Sequence, residues 1–295
     1  MADLDINNIF GVKGIVAVIT GGGSGLGLYI AKALDANGAK AVYIIGRRKA
    51  TLDEAVKQAK NGTIIPIVGD VTSKDSLAAA AAQIEREQGY INILFANSGI
   101  IGIQTPSLGL PTDRKATIQE LQAAHWKPEI EEFTNPFNQL QRRRNYTTLA
   151  FLTLLDAGNA KGNITQKSSV VITSSIAGYT RTQHVGLSYS FSKAAATHMI
   201  KTLATLLTPY KIRVNGIAPG MFPSEMTADM KALQGEDPRE EGAVEKGVIP
   251  MERCGREEEI AGTAVYLASK AGAYLISYNT TPYPLSKHTT TKEAY

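Results

Sequence analysis

Short apolar runs alternate with longer stretches in which apolar residues return every third or fourth position. Residues 15–19 (IVAVI) are apolar throughout, the pattern of a strand covered on both faces. Leu28, Ile30, Ala31 and Leu34 then fall near one helical face, and Gly38 follows as a C-terminal stop. Residues 41–45 read as a second strand and 63–68 as a third, with Pro66 an awkward member of it. Thr72 or Ser73 can cap the next helix, whose buried face is Leu77, Ala81 and Ile84 and which Gly89 ends. Residues 91–95, 168–173 and 212–217 complete six strands.

Strand and helix repeated this often predict an α/β fold: a doubly wound parallel sheet with helices on both faces. Ligands of such sheets sit outside the carboxyl ends of the strands, so the residues just after each strand are the place to look for chemistry. The long polar segment 219–250 also follows a strand end. It reads as a mobile substrate lid, with a merely solvated loop as the alternative.

Composition narrows the field. A chain of 295 residues with 43% hydrophobic content can bury one sizeable core. We expect one domain over residues 1–274 and an atypical tail over 275–295. A net charge of +4 is too weak to argue for nucleic acid. Cys254 is the single cysteine, which excludes an internal disulfide and fits a reducing, cytoplasmic setting. The first ten residues lack the pattern of a secretory leader, and no apolar run approaches the roughly 20 residues that span a bilayer. No His, Cys and carboxylate cluster has metal-ligand spacing, so no metal is expected.

The first strand runs into Thr20-Gly21-Gly22-Gly23-Ser24-Gly25-Leu26-Gly27, followed directly by a helix. Gly21 permits a tight turn, Gly25 lets backbone approach a pyrophosphate, and Gly27 lets the helix pack against the strand. The free N–H groups of the helix start favour phosphate. Thr20, Gly21, Gly23, Ser24, Gly25, Leu26 and Gly27 are therefore candidate cofactor contacts. The second strand ends in Gly46-Arg47-Arg48 with no carboxylate for a ribose hydroxyl. A guanidinium grips a 2′-phosphate in bidentate fashion, so NADP(H) is the expected cofactor, with Arg47 the main contact and Arg48 the second. Asp70 and Val71 after the third strand are candidates beside the adenine, and Asn97 and Gly99 after the fourth beside the ribose and nicotinamide. Without that context these would be ordinary turn residues.

The fifth strand is followed by Ser174-Ser175, and Tyr189 and Lys193 lie four residues apart on a predicted helix, hence on one face. Reduction of a ketone leaves an alkoxide that needs a proton. A phenol of pKa about 10 is a poor partner near neutrality, and a nearby ammonium makes it a better one. In this reading Tyr189 is the general acid, Lys193 supplies the charge and binds ribose hydroxyls, and Ser175 holds the substrate oxygen.

TGGGSGLG, GDV, NSG, the Ser175/Tyr189/Lys193 set and Asn215-Gly-Ile-Ala-Pro219-Gly220 together resemble the classical short-chain dehydrogenase/reductase family over residues 14–274. LLDAGN (154–159), APGMFPSEMT (218–227) and AGTAVYLASKAGAY (261–274) look closest to its fungal members, many of which serve secondary metabolism or acyl-thioester reduction. The resemblance implies a Rossmann-type domain, Ser-Tyr-Lys chemistry with a fourth catalytic Asn, and homodimers or tetramers. It also implies that Leu26, Ile217, Pro219 and Gly220 line the cofactor. The substrate, a small carbonyl or alcohol, is left to the loops 100–135, 179–187 and 220–250, with reduction the expected direction.

Two places depart from the family's pattern. Counting back from Ala150, the position of the family Asn holds Leu140, with Asn138 and Asn145 nearby but out of phase. Arg142-Arg143-Arg144 stand where the family has small or apolar residues at a subunit interface. Either the proton path and the oligomer have changed, or residues 138–144 reflect drift or a slip in the gene's reading frame. The second departure is the tail, which has two prolines, Pro282 and Pro284, and no buried-strand pattern. It makes the last sheet strand a candidate for loss. His125, Trp126 and His184 read as packing or surface residues before pocket residues, and Cys254 as inert. The rival functions are a non-redox isomerase or cyclase on the same fold, and a cofactor-binding protein with impaired catalysis.

Overall fold

A computed structural model describes residues 4–100, 102, 108–111, 113–181, 185–228, 237–276 and 279–280; side chains at 139–142 and 279–280 are not included in that description. In chain order the elements are α1 (Ile6–Ile9), β1 (Val16–Thr20), α2 (Gly25–Ala36), β2 (Ala41–Gly46), α3 (Lys49–Val56), β3 (Ile64–Val68), α4 (Lys74–Gln88) and β4 (Ile93–Ala96). Then follow α5 (Ile118–Trp126), α6 (Ile130–Leu140), a π turn (Gln141–Asn145), α7 (Tyr146–Ala150), α8 (Leu152–Lys161), β5 (Ser169–Thr173), α9 (Leu187–Leu207), β6 (Arg213–Ile217), α10 (Glu257–Ala268) and β7 (Asn279–Thr280). All pairings are parallel, in the order β3-β2-β1-β4-β5-β6-β7.

The wholly apolar strands are explained by cover on both faces. Val16 and Val18 point into one core with Leu77, Ile84, Leu154 and Ile200 from α4, α8 and α9. Ala17 and Ile19 point into the other, with Leu28, Leu34, Leu52 and Ile260 from α2, α3 and α10. On α4 the buried row is Leu77, Ala80 and Ile84, with Ala81 packed half-buried at its flank. Ser73 supplies the cap, accepting from the Ser76 N–H, and left-handed Gly89 ends the helix. Pro66 is tolerated because β3 is the sheet edge: it pairs only with β2, so its missing N–H costs no ladder bond on the open side.

At the other edge the described residues of β7 are two, paired with Gly216 and Ile217. Side chains of β6 prepare that approach. The buried Arg213 guanidinium donates to the Gly272 and Lys167 carbonyls, and Asn215 Nδ2 donates to the Leu275 carbonyl at 3.0 Å.

One buried carboxylate ties the first half of the sheet together. Asp35, at the end of α2, accepts from the N–H groups of Lys60, Asn61 and Thr63 and from the Thr63 hydroxyl, at 2.6 to 2.9 Å. Burial pushes its pKa up, but these donors outweigh burial and hold it below the ordinary 3.8. Its folded pKa is thus lower than its unfolded one. The stabilisation is complete above the ordinary carboxylate range and is lost as pH falls through the depressed folded value. Asp35→Ala should cost about 2–3 kcal/mol in urea unfolding at pH 7, because several buried donors lose their acceptor at once. The gap between wild type and variant should narrow below pH 4.

Candidate active site

The carboxyl ends of β1 to β6 surround a cleft of about 540 Å³. It lies where the sheet order reverses, between β1 and β4, as expected for a doubly wound sheet. Its walls contain Gly21, Gly23, Ser24, Gly25, Leu26, Arg47, Arg48, Asp70, Val71, Asn97, Gly99, Ser175, Tyr189, Lys193, Pro219 and Gly220, all candidates from sequence.

Thr20 and Gly27 act behind the wall instead. Thr20 is buried, and its hydroxyl accepts from the N–H groups of Asn97 and Ser98, joining the tips of β1 and β4. A Cβ on Gly27 would lie 2.2 Å from the Gly21 carbonyl oxygen, so no side chain fits between α2 and the turn. Gly25, with φ +52°, opens α2 in a backbone conformation that only glycine adopts without strain. Ser24 makes no side-chain cap bond, which leaves the first N–H groups of α2 directed at the cleft.

The end of the cleft beside β2 and β3 carries Arg47, Arg48 and Arg143. Arg47 and Arg143 both bear on Asp70 and lower its pKa, after the leading contribution of the Thr72 N–H. Arg48 forms an ion pair with Glu225 at 2.7 Å on the exposed rim, which joins the β2–α3 turn to the loop after β6. Of segment 219–250, Pro219, Gly220, Phe222 and residues 224–227 contribute to the wall, while Val244 and Ile249 pack with Cys254 and Met221 in a small separate cluster; 229–236 lie outside the described residues. Burial pushes the Cys254 thiol up to about 11, so it stays protonated and unreactive at neutral pH.

At the other end, Ser175 sits at the start of the turn Ile176–Gly178, and its hydroxyl accepts from the Ala177 N–H at 3.1 Å. Tyr189 and Ser175 both face the cleft, and Ser175 pulls the Tyr189 pKa down. Lys193 Nζ donates to the carbonyls of Thr173 and Ser174 at 3.3 and 2.9 Å, and stands 5.3 Å from the centre of the Tyr189 ring. Ser175, Tyr189 and Lys193 thus converge although they come from two elements.

Burial leads the electrostatics of Tyr189 and Lys193. Burial raises the Tyr189 pKa, and the two influences that pull it back are Ser175 and Arg144. Burial and Arg144 together drive Lys193 well below its ordinary value. Sequence reasoning missed the two arginines. It read them as an altered interface or a local drift, yet Arg143 and Arg144 are buried, Arg143 in the cleft wall and Arg144 beside Lys193. The π turn is the cause: it shifts the helical phase, and the Thr147 and Thr148 hydroxyls bond the Arg143 and Arg144 carbonyls there.

Other sequence candidates fall elsewhere. His125 and Trp126 lie on α5 away from the cleft wall, with Trp126 exposed. His184 lies outside the described residues, as does the Leu140 side chain. Among the described residues no helix is long and apolar enough to cross a membrane, and no group of three or more His, Cys, Asp and Glu could hold a metal.

Known proteins share this arrangement. The family model described as short chain dehydrogenase matches residues 15–235. The short-chain dehydrogenase/reductase PhomF of Diaporthe leptostromiformis is 48% identical over 270 residues, 91% of this chain and 89% of the relative. The short-chain dehydrogenase/reductase VdtF of Byssochlamys spectabilis is 42% identical over 291 residues and covers 92% of both chains. Among solved structures, the Pseudomonas aeruginosa RhlG/NADP active-site complex superposes with a TM-score of 0.74 at 26% identity, over 93% of this chain and 96% of that one. The chain belongs to the short-chain dehydrogenase/reductase family.

Proposed function

We propose that this protein is an NADP(H)-dependent reductase of a small carbonyl, working through Ser175, Tyr189 and Lys193. The observation that carries the reading is the convergence of these three residues at one end of a cleft whose other end is a glycine turn flanked by Arg47. The family relation supports oxidoreductase chemistry, and the likeness to RhlG, solved as a complex with NADP, favours a phosphorylated dinucleotide.

The residues suit that cofactor. The N–H groups at the start of α2 and the Gly21–Gly25 turn would hold the pyrophosphate, and Arg47 the 2′-phosphate, with Arg48 available once released from Glu225. Lys193 would meet the ribose hydroxyls. When bound, the dinucleotide supplies the hydride. The chain does the rest: Ser175 donates a hydrogen bond to the carbonyl oxygen, and Tyr189 gives its phenolic proton to the developing alkoxide, leaving a phenolate that solvent reprotonates. The substrate class expected is a ketone or β-ketoacyl thioester, and the assembly a homo-oligomer in the cytoplasm.

Two measurements test this. Fluorescence titration should show NADPH binding more tightly than NADH. Arg47→Gln should weaken NADPH about 10- to 100-fold, the worth of a charge-assisted contact, and leave NADH nearly unchanged. A panel of ketones and β-ketoacyl thioesters should then oxidise NADPH, and Tyr189→Phe should lower turnover at least ~100-fold with little change in NADPH affinity. Binding without turnover on any substrate would favour the non-redox isomerase or cyclase. No binding by the folded chain would overturn the cofactor assignment.

A further inference from the structure

One ion pair joins two walls of the cleft at its rim. Arg48 Nη2 lies 2.7 Å from Glu225 Oε2, and the two side chains, both in the cleft wall, are 61% and 62% exposed. Each partner stands on a fixed backbone. Arg48 immediately precedes α3, two positions after the end of β2. Glu225 stands in a tight turn. The Thr227 hydroxyl accepts from the Ser224 N–H and donates to the Phe222 carbonyl, both at 2.9 Å. Phe222 is buried and seated on Gly255, where a Cβ would fall 2.3 Å from the ring. The Gly255 N–H donates to the Met221 carbonyl at 2.9 Å, which ties the root of the turn to the start of α10. Ser224 rests against the glycine turn, since a Cβ on Gly25 would lie 3.3 Å from the Ser224 Cβ. The carboxylate of Glu225 is thus delivered to Arg48 by packed structure. Lys49, the next cation along the chain, is engaged with Asp53 at 2.7 Å.

We propose that Glu225 is a specificity-determining residue: its carboxylate occupies the Arg48 guanidinium and competes for it with the 2′-phosphate of the cofactor. The proposal rests on the NADP(H) reading above and states what limits the preference for the phosphorylated dinucleotide. A guanidinium recognises carboxylate and phosphate with the same planar fork of donors, so Arg48 cannot serve both anions in full. A phosphate monoester carries nearly two charges against one on the carboxylate, and it displaces Glu225. A dinucleotide without that phosphate leaves the pair closed. Discrimination is then the difference between the Arg48–phosphate contact and the Arg48–Glu225 pair that it replaces. Glu225 lowers the affinity for NADPH and has little effect on NADH. Its effect is modest, because an exposed ion pair is a weak one.

A double-mutant cycle read by binding alone tests this. Two sets of probes differ in the 2′-phosphate: NADPH against NADH by fluorescence, and adenosine 2′,5′-bisphosphate against AMP by calorimetry. Glu225→Gln should tighten NADPH and the bisphosphate about 2- to 5-fold, the worth of an exposed pair, and leave NADH and AMP nearly unchanged. In an Arg48→Gln background the same change should bring no further gain, since the carboxylate then has no guanidinium to withhold. Both side chains are on the rim, so the variants should keep the wild-type melting temperature. An equal gain in both backgrounds would overturn the proposal, because Glu225 would then act through its field and not through Arg48. An unchanged NADPH affinity in Glu225→Gln would also overturn it, and with wild type binding NADPH more tightly than NADH the cofactor reading would stand alone. Wild type that binds neither dinucleotide would remove both.

Discussion

Parallel strands cannot be joined by a tight turn, so each must be reached by a crossover that packs on one face of the sheet. This single constraint arranges the molecule. It covers both faces, which is why Val16–Thr20 is buried at every position, and it sends every strand out at the same edge. Because the chain winds from β1 outward to β3 and then back past β1 to β4, the crossovers part on either side of β1. The cleft is the gap they leave. The residues that follow six strands, β1 to β6, meet in it.

The floor of that gap is held by groups too deep to touch a ligand. The Thr20 hydroxyl joins two strand tips, and Asn97 bridges them to β5, accepting from the Thr173 hydroxyl at 3.1 Å. Gly27 brings α2 so near the turn that its N-terminal N–H groups face the cleft. These contacts join the glycine turn and the carbonyls that receive Lys193 in one frame. Preorganisation of this kind is what lets a few polar groups act strongly on charge that develops in a dry site.

Charge is the second theme. Arg47, Arg143 and Arg144 run from the β2 end of the cleft toward Lys193, with Asp70 as the balancing carboxylate at the outer end. At the inner end the buried Arg144 and Lys193 lie side by side, with Tyr189 on the cleft wall. The arginine-rich segment that looked from sequence like drift or a disturbed reading frame thus folds inward and joins the site.

Patterns that depend on near neighbours were legible in the sequence. The strands came from unbroken apolar runs, the glycine turn from its place between strand and helix, and the shared face of Tyr189 and Lys193 from the helical repeat. Each follows from local geometry that any chain with those residues must obey. The tertiary structure alone decided where Arg143 and Arg144 point, since a π turn breaks the repeat that such counting relies on. It alone brought Arg48 to Glu225, a pair separated by 177 positions, and paired Asn279–Thr280 with β6 despite a tail without a strand pattern. Those outcomes depend on which distant groups burial brings together, and distance along the chain does not record that.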